Sequence, residues 1–376
     1  MLTEFVDRIR SAHAANTPLV IQGGGSKDFY GNAHEGEVLN TRALTGVVDY
    51  QPKELVLTAQ AGTPLAEIEA LLAEHEQMLA FEPPHFGGNP LPNPLPNPLP
   101  QAGEGANDAL RAPKSSNATL GGCIAAGLSG PRRPYAGAAR DFVLGVRMID
   151  GTGQPLRFGG QVIKNVAGYD VSRLMAGALG TLGLITEVSL KVLPKPAAET
   201  TLQFELDETA AIENMNRWAG QPLPLSATSW HAGLLTVRLS GAESAVHAAQ
   251  ARLGGEWLHD AAAFWQRLRD QATPFFDKRP LWRLAVKPTT PPLNLGSAEW
   301  IEWGGAVRWL ASDLPAATLR DAAKTAGGHA ALFRGTAPVD GAFAPLAPAL
   351  LTLHRNLKQR FDPKGILNRG RLHPEF

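Results

Sequence analysis

The sequence predicts an α+β fold, and three observations carry that reading. Short apolar or alternating runs with the period of a strand recur between stretches with the period of a helix. Glycine clusters punctuate the first half of the chain, at Gln22–Gly31, Asn117–Gly137 and Gly177–Val188. The texture then changes near Thr200, where strands and amphipathic helices alternate in the manner of an antiparallel sheet with helices on one face.

Each element has its own signature. Leu2–Ala15 places Phe5, Val6 and Ile9 on one side among charged residues, which predicts an amphipathic helix stopped by Thr17-Pro18. Leu19–Ile21, Gly36–Asn40, Leu44–Tyr50 and Leu55–Ala59 read as strands. Thr63-Pro64 followed by Leu65, Ile68, Leu71 and Leu72 predicts an N-capped helix with proline in its first turn. Val143–Ile149 is a strand that ends on the turn pair Asp150-Gly151. Further on, Thr201–Leu206 and Leu234–Leu239 alternate as strands, with helices at Ala210–Trp218 and Ala242–Leu253. Phe264–Gln271, Trp282–Val286, Ala306–Leu310, Ala317–Ala326 and Ala330–Phe333 continue the alternation, and Leu350–Phe361 is a last helix.

One stretch fits no element. Asn-Pro-Leu-Pro is repeated three times in tandem from Asn89, and small and polar residues follow to Ser116. Proline at every second position forbids a helix and cannot supply a sheet ladder. Residues 89–116 are therefore expected to form a surface insertion, extended or disordered. A docking peptide for a proline-recognising groove is the alternative.

Composition narrows the function. Hydrophobic residues make up 44% of the 376, enough for a substantial core divided among two or three domains. Thirty-five basic residues balance 35 acidic ones, which argues against nucleic acid as the main partner. The single cysteine, Cys123, excludes an internal disulfide and any four-cysteine iron–sulfur cluster. No window reaches the ~20 apolar residues of a membrane span, and Met1-Leu-Thr-Glu-Phe lacks the order of a signal peptide. A cytosolic location is expected, with any membrane association coming through partner subunits.

Glycine serves two ends here. Having no Cβ, it tolerates tight turns, and it also lets backbone approach a flat or phosphorylated ligand. Each cluster alone is compatible with plain turns. Their order is more specific: Gln22-Gly-Gly-Gly-Ser-Lys-Asp-Phe-Tyr-Gly31, then Thr119-Leu-Gly-Gly122, then Gly168-Tyr-Asp170 with Gly180-Thr-Leu-Gly-Leu-Ile-Thr186, then Phe361-Asp-Pro-Lys-Gly-Ile-Leu-Asn-Arg-Gly370. This succession resembles the FAD-linked oxidases of the vanillyl-alcohol oxidase type, the PCMH flavoproteins. Within that group, Glu82-Pro-Pro-His-Phe-Gly87 and Gly130-Pro-Arg-Arg-Pro-Tyr-Ala-Gly137 look like the FAD-binding E subunits of bacterial glycolate oxidases.

The resemblance implies a PCMH-type FAD-binding domain of two α+β subdomains over residues 1–196. It also implies an antiparallel-sheet-and-helix cap over 197–340 and a C-terminal helix and tail, 341–376, returning to the first domain. FAD would be held by Gly23, Gly24, Gly25, Ser26 and Lys27 in the first loop. Thr119, Leu120, Gly121, Gly122, Ala126, Gly127 and Gly130 would serve in the second, with Gly183, Ile185 and Thr186 at the adenine and Asn368 near the ring. The first loop lacks the histidine that covalent relatives use, so noncovalent FAD is expected. The resemblance further implies a larger FAD-containing catalytic subunit and an iron–sulfur subunit as partners, with a small 2-hydroxy acid, glycolate, as substrate.

Such a substrate needs a cation for its carboxylate and a base for its hydroxyl. Arg283, Arg308 and His329 are the candidates, and each could equally be a surface charge or a satisfied core group. No pair of histidines lies at metal-ligand spacing, and no Gly-Asp-Gly-Asn segment of the related D-2-hydroxy-acid dehydrogenases is present. The chain alone is therefore expected to show little or no glycolate-dependent dye reduction, with activity appearing only with its partner subunits. Alternatives are a self-sufficient FAD-dependent oxidoreductase acting on an alcohol, lactone or 2-hydroxy acid, and a non-catalytic flavoprotein needed for assembly.

Overall fold

A small parallel pair of strands opens the fold. The computed structural model describes residues 2–87, 117–160 and 170–376, so the proline-rich segment and Gly168-Tyr169 lie outside the described residues. Helix Leu2–Ala15 buries Phe5, Val6, Ile9 and Ala12. These pack with Leu19 of strand Leu19–Gln22 and Leu39 of its parallel partner Glu37–Asn40. The C-terminal tail joins the pair: the Leu19 amide donates to Ile366 O at 2.7 Å, and the Asn368 amide donates to Leu19 O at 2.9 Å. Lys358, in helix Pro348–Phe361, anchors the tail through Thr181 O, Leu367 O and the Asp362 carboxylate at 2.7–2.9 Å.

A five-stranded antiparallel sheet follows, in the order Val47–Gln51, Val56–Gln60, Leu184–Lys191, Val143–Ile149, Pro155–Gly159. Leu57, Ala59, Val188 and Leu190 from its middle strands pack on helices Leu65–Ala73 and Leu120–Ala126. The predicted cap at Thr63 takes another form. Pro64 holds the cap position, and the Thr63 hydroxyl bonds instead to the backbone of Gly46.

The second half forms an eight-stranded antiparallel sheet, which gives the α+β class expected. Its order is Glu256–Trp257, Ala198–Glu205, Leu234–Gly241, Leu225–His231, Ala298–Glu302, Val307–Ala311, Leu281–Ala285, His329–Arg334. Side-chain alternation gives it two unlike faces. Leu235, Val237 and Leu239 meet helices Glu208–Ala219 and Glu243–Leu253, while Leu284, Leu310 and Leu332 meet helix Ala316–Thr325. The opposite face is aromatic: Trp300, Trp309 and Phe333 pack with Phe275 and Phe276 and against Ala126, Leu128 and Leu179 of the first half. Helix Ala261–Arg269 sits on this face through Trp265 and Leu268, so the helices are not all on one side.

Two strands in the middle of this sheet escape sequence reading for a physical reason. Leu225–His231 is mostly small and polar, yet it is buried in mid-sheet because its hydroxyls have partners. Ser229 accepts the Trp300 indole N–H at 2.7 Å, and Thr228 accepts the Gly304 amide at 2.9 Å. Its neighbour Ala298–Glu302 places two carboxylates on opposite faces. Among the described residues no helix is long and apolar enough to cross a membrane.

Candidate functional site: two adjoining clefts

The loop after strand Leu19–Gln22 forms the floor of a cleft of about 630 Å³. Gly25 takes a φ of +76° there, which only glycine adopts without strain. The amides of Gly24, Gly25, Ser26 and Lys27 donate to no acceptor among the described residues, so the turn offers a nest of free N–H groups. Two cations flank it. Lys27 is 6% exposed, its ammonium's one hydrogen bond among the described residues is to the Ser26 hydroxyl at 3.2 Å, and burial lowers its pKa. Arg371 donates to Lys27 O at 3.2 Å while its buried Nε has no partner among the described residues.

Helix Leu120–Ala126 forms the facing wall where sequence reading expects a loop. Thr119 caps it by accepting the Gly122 amide at 3.4 Å. The Leu120 and Gly121 amides are already used by Thr63 O and Ala61 O, so this wall contributes shape more than donors. Gly121 is a packing glycine, since a Cβ would come within 2.7 Å of the Ala61 Cβ. Gly122 is different: the nearest atom to its Cβ would be the Thr119 hydroxyl at 3.2 Å, and the rest is open cleft.

The structure places Gly23, Gly24, Gly25, Ser26, Lys27, Thr119, Gly121, Gly122, Ala126, Gly183, Ile185 and Asn368 on this cleft. It does not place Leu120, Gly127, Gly130 or Thr186 on its lining. Leu120 is fully buried in the core, and Gly127 closes the helix in left-handed conformation against Gly177. The Thr186 carbonyl is held by the Ala61 amide, and Gly130 lines the neighbouring cleft. Asn368 is a brace, accepting from the Ile21 amide at 2.7 Å and donating to Leu179 O at 2.6 Å. Arg369 turns outward onto Gly365 O and Lys364 O. Thr41, Gly180 and Arg371 line the cleft without having been singled out by sequence. Of these only Gly180 stood in a glycine motif.

A second cleft, about 370 Å³, opens where the aromatic sheet face meets the first half. Phe86, Leu128, Gly130, Trp303 and Phe333 form its walls, and Arg269, Arg283 and Glu302 are its charged lining residues. Arg283 lies 4.8 Å from the ring centre of Trp303 and 5.7 Å from that of Trp309, with no hydrogen bond or ion pair among the described residues. Glu302 is 6% exposed and accepts the Trp309 indole N–H at 2.6 Å. Burial pushes its carboxyl up to about 7 against the lowering effect of that bond and of Arg283. The clefts adjoin: the Lys27 ammonium is 5.5 Å from the centre of the Phe86 ring.

The other two substrate-side candidates lie elsewhere. Arg308 alternates with Trp309 and so faces the helices, fully buried, paired with Glu299 at 3.3 Å and Glu208 at 3.4 Å and donating to Thr290 O. That is a satisfied structural cation on the wrong face. His329 is on the same face as Arg283 but exposed at the sheet edge, outside both linings; burial of part of its ring and the nearby Arg283 lower its pKa. Glu302 escapes sequence reading because a single glutamate in Glu299-Trp-Ile-Glu302 carries no motif.

The motifs Glu82–Gly87 and Gly130–Gly137 turn out to join the two halves. Glu82 accepts the Arg132 amide at 2.8 Å and pairs with Arg238 at 2.7 Å, while Arg132 reaches Glu199 at 2.7 Å. Trp303 donates to Gly130 O at 3.1 Å across the same seam. These bonds hold the second cleft beside the first.

Free backbone amides, two buried cations without a carboxylate partner among the described residues, and glycine walls fit an anionic dinucleotide, and FAD is the one the comparisons support. A family profile described as an FAD binding domain matches residues 2–89. The glycolate oxidase subunit GlcE of Escherichia coli (strain K12) is 44% identical over 373 residues, covering 99% of this chain and 97% of that protein. The glycolate oxidase subunit GlcD of Bacillus subtilis (strain 168) is 43% identical over 84 residues, 22% of this chain and 18% of its own length. Among solved structures, p-cresol methylhydroxylase with substrate bound superposes with a TM-score of 0.67 at 13% identity, over 99% of this chain and 87% of that one, a likeness of fold. With 44% identity across essentially its whole length, this chain belongs to the family of the glycolate oxidase subunit GlcE, FAD-binding oxidoreductases built on the PCMH-type fold.

Proposed function

We propose that this chain is the FAD-binding subunit of a glycolate-oxidising complex, holding FAD noncovalently in the larger cleft and receiving a small 2-hydroxy acid in the smaller one. Residues 1–196 with the tail form the cofactor domain in this reading, and 197–340 the cap. The carrying observation is Arg283: an unpaired guanidinium in an aromatic cleft next to the dinucleotide cleft is a place for a small carboxylate. The flavin, when bound, supplies the two-electron acceptor. In the protein, Gly24–Lys27 offer amides to the pyrophosphate, Lys27 and Arg371 balance its charge, and the walls of the second cleft exclude water around Arg283. One cysteine cannot hold an iron–sulfur cluster, so electrons leave for a partner subunit that carries one. Lack of a histidine in Gln22–Gly31, with the Cys123 thiol buried and pushed up to about 11, supports noncovalent attachment.

The test is anaerobic mixing of the flavin-loaded chain with glycolate, followed at the flavin absorbance band. Bleaching of the isolated chain, with dye turnover appearing only when partner subunits are present, is the expected result. No bleaching in either form would refute the reading. Full turnover by the chain alone would establish the self-sufficient enzyme instead.

A further inference from the structure

The second cleft holds a buried carboxylate, Glu302, that sequence reading does not single out. We propose that Glu302 is the group that takes the substrate's hydroxyl proton, acting on a 2-hydroxy carboxylate whose acid group is held by Arg283. This inference rests on the reading of the cleft as a substrate site.

The geometry is specific. Arg283 and Glu302 lie on neighbouring parts of one aromatic sheet face and line the same 370 Å³. Trp303, Trp309 and Phe333 line the cleft with them and bound the space left for a substrate. Glu302 is oriented by the Trp309 indole, which bonds one carboxylate oxygen, and the other accepts no hydrogen bond among the described residues. The charged and titratable groups around it are Arg283, which favours its ionised form, and Glu82 across the seam, which opposes it. Arg269 lines the cleft but is engaged by Asp270 at 2.9 Å. Tyr30, packed between Phe333 and Phe343, faces Arg283 and is the competing proton acceptor. Burial raises the Tyr30 phenol above its ordinary value, so it is protonated at neutral pH. Glu302, at about 7, is divided between its two forms there, as a general base requires.

The step balances. The O–H bond breaks with its proton going to the Glu302 carboxylate, and the C–H bond gives up its electron pair as hydride, for which FAD, when bound, would be the two-electron acceptor. A carbonyl forms between the carbon and oxygen so released, and the hydroxy acid is thereby oxidised to the oxo acid.

The experiment compares the wild-type flavin-loaded protein, in complex with its partner subunits, with Glu302→Gln and Tyr30→Phe. Glutamine keeps an acceptor for Trp309, so the cleft is retained. Two readouts are taken: single-turnover flavin bleaching by glycolate, and oxalate binding between pH 6 and 8, where oxalate is fully ionised. Glu302→Gln is expected to slow bleaching by about 10²- to 10⁴-fold, with oxalate affinity at pH 6 within about three-fold of wild type. Wild-type oxalate affinity should fall as pH rises through about 7, where Glu302 acquires its charge, and the variant should show a flat profile. Tyr30→Phe should leave both readouts within a few-fold of wild type. Bleaching by Glu302→Gln at near wild-type rate, or loss of oxalate binding with it, would overturn the assignment, as would transfer of the rate defect to Tyr30→Phe. Failure of the wild-type complex to bleach at all would overturn the substrate reading itself, a result distinct from the others.

Discussion

Gly121 and Gly122 are adjacent in one short helix, and alanine should have opposite effects at the two. At Gly122 a methyl group would face the larger cleft, 3.2 Å from the Thr119 hydroxyl at its closest. Replacing a helical glycine with alanine contributes up to ~1 kcal/mol of stability, and the close hydroxyl offsets part of it. The flavin-stripped Gly122→Ala protein should therefore melt at or slightly above the wild-type temperature. With the cofactor placed as proposed, the same methyl would push a phosphate or ribityl oxygen away from the free amides of the facing Gly24–Lys27 loop. Losing one charge-assisted hydrogen bond costs roughly 1.5–3 kcal/mol, or about ten- to hundred-fold in affinity at 1.4 kcal/mol per decade. At Gly121 the methyl would meet Ala61, 2.7 Å from its Cβ and 3.0 Å from its carbonyl oxygen. That contact is with core backbone that cannot rotate away, so Gly121→Ala should lower the melting temperature of the flavin-stripped protein by overpacking, at about 1–3 kcal/mol. Thermal melts of stripped protein and flavin titration separate the two quantities. Unchanged flavin affinity in Gly122→Ala, or equal destabilisation of both variants, would refute the placement of the cofactor against this helix.

Three further outcomes follow from the buried charges and the first loop. The folded Glu302 carboxyl holds its proton up to about 7, whereas an ordinary glutamate loses it near 4.5. Between those values the folded protein keeps a proton the unfolded chain has released, so this group lowers stability as pH rises through the window and no further above it. Glu302→Gln should accordingly raise the melting temperature at pH 8 and leave it nearly unchanged at pH 4.5, as thermal melts at both pH values will report. Arg308→Met strands Glu299 and Glu208 together and should cost about 3–5 kcal/mol, while Arg283→Met, which breaks no pair, should keep stability and abolish oxalate binding; chemical denaturation and calorimetric titration distinguish them. Acid precipitation of the loaded protein should leave yellow flavin in the supernatant, and a fluorescent band on a denaturing gel would show covalent attachment instead.

Much of the scaffold was legible in the sequence because local rules decide it. The amphipathic pattern of Leu2–Ala15 and the apolar runs of Leu19–Gln22 and Val143–Ile149 need no long-range information. Gly23–Gly25 marks a turn with reachable amides for the same reason, and Gly25 adopts the left-handed backbone that only glycine takes freely. The helix Leu120–Ala126 was hidden because two glycines and two alanines look like loop. Its cap is the adjacent Thr119, but the Ala61 it packs on lies some 60 positions away along the chain.

The chemistry was decided by tertiary structure. Arg283 and Arg308 are alike in sequence, each in a strand beside tryptophan. A period of two says that Arg308 and Trp309 point opposite ways, but not which face meets the rest of the molecule. Packing settled that: the aromatic face met the first half, leaving Arg283 in a cleft without a partner and turning Arg308 onto Glu299 and Glu208. Glu302 became a candidate base only when Trp309, Arg283 and Glu82 surrounded it, since a carboxylate's proton affinity is set by neighbours brought from 7, 19 and 220 residues away along the chain. Solvent exclusion and apposition across a sheet are properties of the folded surface, and no local pattern in the chain encodes them.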